Sequence, residues 1–188
     1  GLVDDPAFAK ENLPFAGELY LGHLRYSTTG KSGISYVHPF LRRHNWKART
    51  LVMAGNFNLT NVDEIFENLT EQGQHPRDKA DTFLMLESLG NKLDNEVQAE
   101  YEQIRKRYSN DKIITQKIEE QLDIPSFIRK SEKKWDGGYV ICGMLGHGDS
   151  FVFRDPDGIR TAFYYQDDEI VVVASERAPL QTVMNVKT

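Results

Sequence analysis

The chain has 188 residues, of which 39% are hydrophobic and 27% charged, the composition of one soluble globular domain with a sizeable core and not of a disordered segment. Its formal net charge is −5, with no basic stripe or Lys/Arg tail, which argues against nucleic acid or an anionic membrane surface as a partner. No apolar run approaches the ~20 residues that span a bilayer, the opening Gly1-Leu2-Val3-Asp4-Asp5-Pro6 lacks the regions of a signal peptide, and the single cysteine, Cys142, excludes an intrachain disulfide or a four-thiolate metal site.

Residues 18–26 carry apolar side chains in partial alternation and predict a strand. Thr50-Leu51-Val52-Met53-Ala54 predicts a second, buried strand that ends at Gly55. Asn61, with Glu64 three residues on, has the spacing of a capping box. The helix it opens runs from 62 to about 72, places Ile65, Phe66 and Leu69 on one face and stops at Gly73. A longer helix begins near Lys79, where Phe83, Leu84, Leu86, Leu89 and Leu93 recur at helical spacing around a tolerated Gly90.

From about 95 to 134 the chain is rich in Glu, Lys, Arg and Gln. It reads as a surface insertion of two or three helices, broken near Ser109-Asn110-Asp111 and Ile124-Pro125, with its charges on a solvated face. Four short strands follow, at 138–145, 150–154, 162–165 and 169–174, forming an antiparallel meander. Gly146-His147-Gly148-Asp149 and Asp155-Pro156-Asp157-Gly158 are turns, and a last short helix starts around Ser175-Glu176. Strands, helices and then a meander predict an α+β sandwich with helices on a sheet.

Three short runs offer chemistry. Gly22-His23-Leu24-Arg25-Tyr26-Ser27-Thr28-Thr29-Gly30 supplies a fixed guanidinium beside small hydroxyl residues, suited to grip a carboxylate. Ala54-Gly55-Asn56-Phe57-Asn58-Leu59-Thr60-Asn61 supplies the Asn56 amide and the Phe57 N–H, two donors that can form an oxyanion hole. Ala80-Asp81-Thr82 supplies a carboxylate, a counter-ion for an ammonium group. Together they suit a free amino acid. Each has an ordinary use alone: Arg25 in a surface ion pair, Asn56 in a turn, Asp81 at a helix N-terminus. His23, His38, His44, His75 and His147 lack metal-ligand spacing, so no metal site is expected. Cys142 reads as a small buried apolar residue and not as a nucleophile.

These segments resemble the class II glutamine amidotransferases, glutaminase domains of the N-terminal-nucleophile hydrolases, and within that class the amidophosphoribosyltransferase group. The residues at 22–30 match its Gly-His-x-Arg-Tyr-Ser-Thr-x-Gly. Those at 54–61 are similar to Ala-His-Asn-Gly-Asn-Leu-Thr-Asn, with Gly55 in place of the histidine and Phe57 in place of the oxyanion-hole glycine. Ala80-Asp81-Thr82 resembles Ser-Asp-Thr. Arg154-Asp155-Pro156-Asp157-Gly158-Ile159-Arg160 and Ala174-Ser175-Glu176 match the late signatures of the group, with Thr161 replacing a proline. The Arg-Asp-Pro run separates it from the glucosamine-phosphate synthase and asparagine synthetase types.

The resemblance implies an αββα sandwich, here lacking its N-terminal strand, with residues 1–188 forming a glutaminase domain fragment. It implies that Arg25 and Thr28 hold the glutamine carboxylate, Asp81 the α-ammonium, and Asn56 with the Phe57 N–H the oxyanion. The nucleophile would be an N-terminal cysteine upstream of Gly1, attacking the side-chain amide to give a glutamyl thioester and ammonia. A phosphoribosyltransferase domain beyond Thr188 would use that ammonia, with Mg²⁺ bound, to make phosphoribosylamine from phosphoribosyl pyrophosphate (PRPP) in purine biosynthesis. On that reading the fragment itself carries no cofactor and has negligible activity alone, and the parent is a cytoplasmic homo-oligomer. The alternative is a glutamine-sensing domain of the same fold, impaired in catalysis by Gly55 and Phe57.

Overall fold

The computed structural model describes residues 17–24 and 36–186. A four-stranded antiparallel sheet has the order β1 (Phe40–Arg42), β2 (Leu51–Leu59), β3 (Gly137–Leu145), β4 (Ser150–Arg154). Register is set by the long central pair, in which Leu51 faces Leu145 and Leu59 faces Gly137. Odd-numbered residues of β2 and β3 turn to one face, where Leu51, Met53, Leu59, Tyr139, Ile141 and Leu145 join the core, as the two-residue repeat of a strand requires. That face is covered by helices α1 (Val62–Glu71), α2 (Asp81–Ile104), α3 (Asp111–Gln121) and α4 (Ile124–Glu132).

Helix α2 is the spine of this layer. Leu84, Met85, Leu89, Leu93 and Val97 are fully buried along it. Gly90 has a packing reason to be glycine: a Cβ there would stand 2.4 Å from the Arg42 Cδ and Nε. The Arg42 side chain crosses the helix at that notch and donates to Asp94 at 3.2 and 2.5 Å, with Glu87 at 3.7 Å. Burial disfavours its charge, but Asp94 and then Glu87 outweigh that and raise its pKa. The β1 edge is thereby fastened to α2.

Helix ends follow local chemistry. Asn110 caps α3 through the N–H groups of Lys112 and Ile113, and Asp123 caps α4 through that of Ser126, with Pro125 in the first turn. Helix α1 ends on Gly73 at φ 79°. There Gly73 N donates to Thr70 O and Gln74 N to Leu69 O, the paired bonds of a Schellman motif.

Four expectations need correction. Residues 17–24 carry no strand; none of the described strands pairs with them, and Leu24 is 97% exposed, so their alternation has no ladder to join. Strand β2 does not end at Gly55 but continues to Leu59, because β3 is long enough to pair with all of it. Asn61 stands at the start of α1 without accepting a capping bond; it donates to Glu64 and to Lys134 O and accepts from Asp136 N, tying the helix start to the start of β3. The helices after residue 95 do present charges outward, but they are no mere surface addition. The first of them is the continuation of α2, and Ile114, Ile118 and Phe127 reach into the common core.

The predicted C-terminal strands are present, but as two units. β3 and β4 close the main sheet, while β5 (Phe163–Gln166) and β6 (Val171–Ala174) form a separate two-stranded sheet on which α5 (Arg177–Val183) packs. The expected helix-on-sheet α+β architecture is therefore realised with a helix layer on each of two sheets.

Candidate functional site

The site predicted from the sequence centres on β2, and the geometry of that strand decides what it offers. β1 pairs only with residues 51–53 of β2. Beyond Met53 that edge has no neighbouring strand among the described residues. Alternate residues of an antiparallel strand send their N–H groups to opposite sides. The even-numbered residues of β2 serve the β3 side, where flanking Thr50 O and Thr60 N also bond. The odd-numbered ones face the open edge.

Three N–H groups line that edge. Gly55 N donates to His38 Nδ1 at 3.2 Å. Leu59 N donates to Asp81 Oδ2 at 2.9 Å. Phe57 lies midway, and its N–H meets no acceptor among the described residues; across the ladder the Tyr139 N and O are both taken by Asp155. The sequence thus builds an open backbone donor flanked by two satisfied ones.

Asn56 occupies the same stretch, half-buried. Its side chain leaves the sheet on the face away from the helices, beside its partner Val140. The Phe57 N–H points in the plane of the sheet. The two expected oxyanion donors are thus adjacent but set at right angles, and a ligand reaching both must sit at the corner between edge and face.

Asp81 opens α2, where the helix N-terminus favours a carboxylate. One oxygen holds Leu59 N; Oδ1 has no partner among the described residues. The N–H groups of Phe57 and Leu59 stand ~7 Å apart along the strand, comparable with the reach of an extended glutamine from α-ammonium to side-chain amide. Arg25 and Thr28 lie outside the described residues. The segment before them is brought to the site, because the His23 ring stacks on His38 with centroids 4.4 Å apart.

His38 is the participant that sequence reading missed. Taken there only as a non-ligand, it is 93% buried by its 7% exposure, and it packs against Phe40 and Phe57. Accepting at Nδ1 leaves the proton of a neutral ring on Nε2. No motif announces a histidine whose task is to satisfy one backbone N–H. Cys142 sits inside β3, and burial pushes its thiol pKa up, the wrong direction for a nucleophile.

Gly55 and Phe57 share one face of β2, and the structure links them. A Cβ on Gly55 would stand 2.4 Å from Val140 O and 3.0 Å from Phe57 Cδ1. The phenyl ring lies over the space a side chain at 55 would use. Gly55→Ala is therefore expected to cost roughly 2 kcal/mol through forced strand movement. Denaturant unfolding measures this, and an unchanged midpoint would show that β2 and β3 separate freely there.

The sequence is 30% identical over 189 residues to the amidophosphoribosyltransferase of Pasteurella multocida, covering 97% of this chain and 33% of that protein. It is 34% identical over 162 residues to the amidophosphoribosyltransferase of Haemophilus influenzae, covering 85% of this chain and 28% of that one. The chain is a relative of the amidophosphoribosyltransferases. It spans about a third of the length of these relatives. Among solved structures it is similar to the glutamine PRPP amidotransferase from B. subtilis complexed with ADP and GMP, at a TM-score of 0.60 and 23% identity over 86% of this chain and 28% of that one. A structure described as the allosteric regulatory enzyme of purine biosynthesis gives a TM-score of 0.60 and 24% identity over 86% and 29%. At that identity the likeness speaks for the fold, which is the N-terminal-nucleophile hydrolase fold expected from the motifs. A search against protein-family profiles gave no match.

Proposed function

We propose that this amidophosphoribosyltransferase relative is a glutaminase module: it binds glutamine and releases ammonia for phosphoribosylamine synthesis by a PRPP-using partner domain. The observation that carries this is the open Phe57 N–H on the β2 edge, with Asn56 beside it and the Asp81 carboxylate one register step beyond. In this reading Oδ1 of Asp81 takes the α-ammonium. The side-chain carbonyl sits at the corner served by Asn56 and the Phe57 N–H, where two donors stabilise developing negative charge by ~3 kcal/mol each. Arg25 and Thr28 hold the α-carboxylate. A cysteine thiol from outside these 188 residues adds to the amide carbon; its proton passes to the nitrogen, which leaves as ammonia as the C–N bond breaks, and water then hydrolyses the resulting thioester to free the acid.

The Mg²⁺-dependent chemistry belongs to the PRPP-binding part. No group of three or more His, Cys, Asp or Glu side chains suited to a metal occurs among the described residues. No helix among the described residues is long and apolar enough to cross a membrane. A cytoplasmic, homo-oligomeric parent with no nucleic-acid partner is part of the same proposal.

A second reading, a glutamine sensor impaired in hydrolysis, is favoured by one observation. The Phe57 ring covers Gly55 and crowds the face next to the open N–H. Ammonia release from glutamine by the full-length parent, with and without PRPP, separates the two. Release stimulated by PRPP is the expected result. Glutamine binding without release would favour the sensor, and neither binding nor release would sink both.

A further inference from the structure

We propose a second ligand site, for a small oxyanion, in the helix layer. A cavity of about 70 Å³ lies among α1, α2 and the end of α4. Its inner wall is apolar, from Ile65, Leu69 and the Trp135 indole, and its rim carries Lys92, Lys130 and Lys134. No carboxylate lines it.

Its hydrogen-bonding balance selects the ligand. The amide acceptors of Gln72 and Asn68 are already engaged. Gln72 Oε1 accepts from Asn91 at 3.0 Å and from Lys92 at 3.3 Å, Asn68 Oδ1 accepts from Gln72 Nε2 at 2.5 Å, and Ser131 donates to Phe127 O at 2.8 Å. Donors are left over. Trp135 is 9% exposed, yet its Nε1 is buried with no hydrogen-bond partner, and an indole N–H can only donate. Lys130 is paired with Glu96, but Lys92 and Lys134 have no carboxylate partner among the described residues.

A buried donor without an acceptor is rare in native proteins and calls for an explanation. A guest that supplies acceptors and negative charge but no donors satisfies the indole and the remaining N–H donors of Lys92 and Lys134 with charge-assisted bonds. The volume admits a phosphate or a short carboxylate group. The site stands on different residues from the β2 edge and does not depend on glutamine binding.

The test is a titration of ¹⁵N-labelled full-length protein with sodium phosphate or sodium acetate at constant ionic strength, with chloride as the reference salt. Trp46 is an internal control for the Trp135 indole resonance, each resonance being assigned with its own Trp→Phe variant. A saturable shift confined to Trp135 is expected, weakened at least tenfold in the Lys92→Gln/Lys134→Gln double variant. Saturation with phosphate alone assigns a phosphate-bearing ligand, with acetate alone a carboxylate, and with both a general oxyanion site. Drift of both indoles no different from that in chloride, or undiminished affinity in the double variant, would overturn the proposal.

Discussion

Replacing Asp155 by alanine is expected to destabilise the protein by roughly 3–5 kcal/mol, because it strips the acceptor from several backbone donors at once. Asp155 is 2% exposed. Its carboxylate accepts from Ile159 N at 2.6 Å, Arg160 N at 2.9 Å and Tyr139 N at 3.2 Å, while its own N–H donates to Tyr139 O. It thus closes the turn after β4, in which Gly158 takes φ 69°, and pins that turn to β3. For a domain of this size the loss corresponds to a fall in Tm of about 10 °C.

The same residue gives a pH signature. Burial alone would push the Asp155 carboxyl up; the N–H groups of Arg160, Ile159 and Tyr139, with the Arg154 charge, outweigh it and hold the pKa below the ordinary carboxylate value. A depressed folded-state pKa contributes stability that is complete above the unfolded value, about 4, and is lost as pH falls through the folded one. The gap in stability between wild type and Asp155→Asn should therefore be widest near neutrality and shrink in acid. A gap independent of pH between 7 and 2 would mean that the carboxylate charge does not matter to the turn.

Much of the architecture was legible in the residues, and the failures have physical causes. Periodicity found α1, the start of α2 and the four C-terminal strands to within a few residues, because local pattern and tertiary context agree there. It stopped β2 at Gly55, since glycine with Asn56 next and Asn58 close behind reads as a turn. Pairing with all of β3 overrides that propensity. It placed a strand over residues 18–26, of which 18–24 are described, and these have alternation but no partner strand among the described residues. The buried side of α3 and α4 was masked by the charges around it, because Ile114, Ile118 and Phe127 are few among many Lys and Glu. For the site, chemistry-bearing residue types were readable, whereas the open N–H of Phe57 and the role of His38 depend on where β1 ends, which no single-residue pattern encodes.

Asp81→Asn should separate binding from structure at the site, and it carries the largest functional effect we expect. The carboxylate has two oxygens with different work: Oδ2 holds Leu59 N at 2.9 Å, and Oδ1 has no partner among the described residues. Asparagine preserves an acceptor for Leu59 but removes the charge that would counter an α-ammonium. It also gives up the favourable interaction of a carboxylate with the α2 N-terminus, worth only ~0.5–1 kcal/mol. Stability should therefore change little, while kcat/KM for glutamine in the full-length parent falls at least ~100-fold, the equivalent of about 3 kcal/mol of lost binding to a charged group. The reaction driven by added ammonia, which bypasses the glutamine site, should keep its rate. Asp81→Ala would add the loss of the Leu59 acceptor and lower Tm as well, so the pair of variants divides the electrostatic contribution from the strand-anchoring one. If Asn and Ala variants lost glutamine- and ammonia-driven activity equally, Asp81 would be an anchor for β2 and the ammonium would have to be held elsewhere.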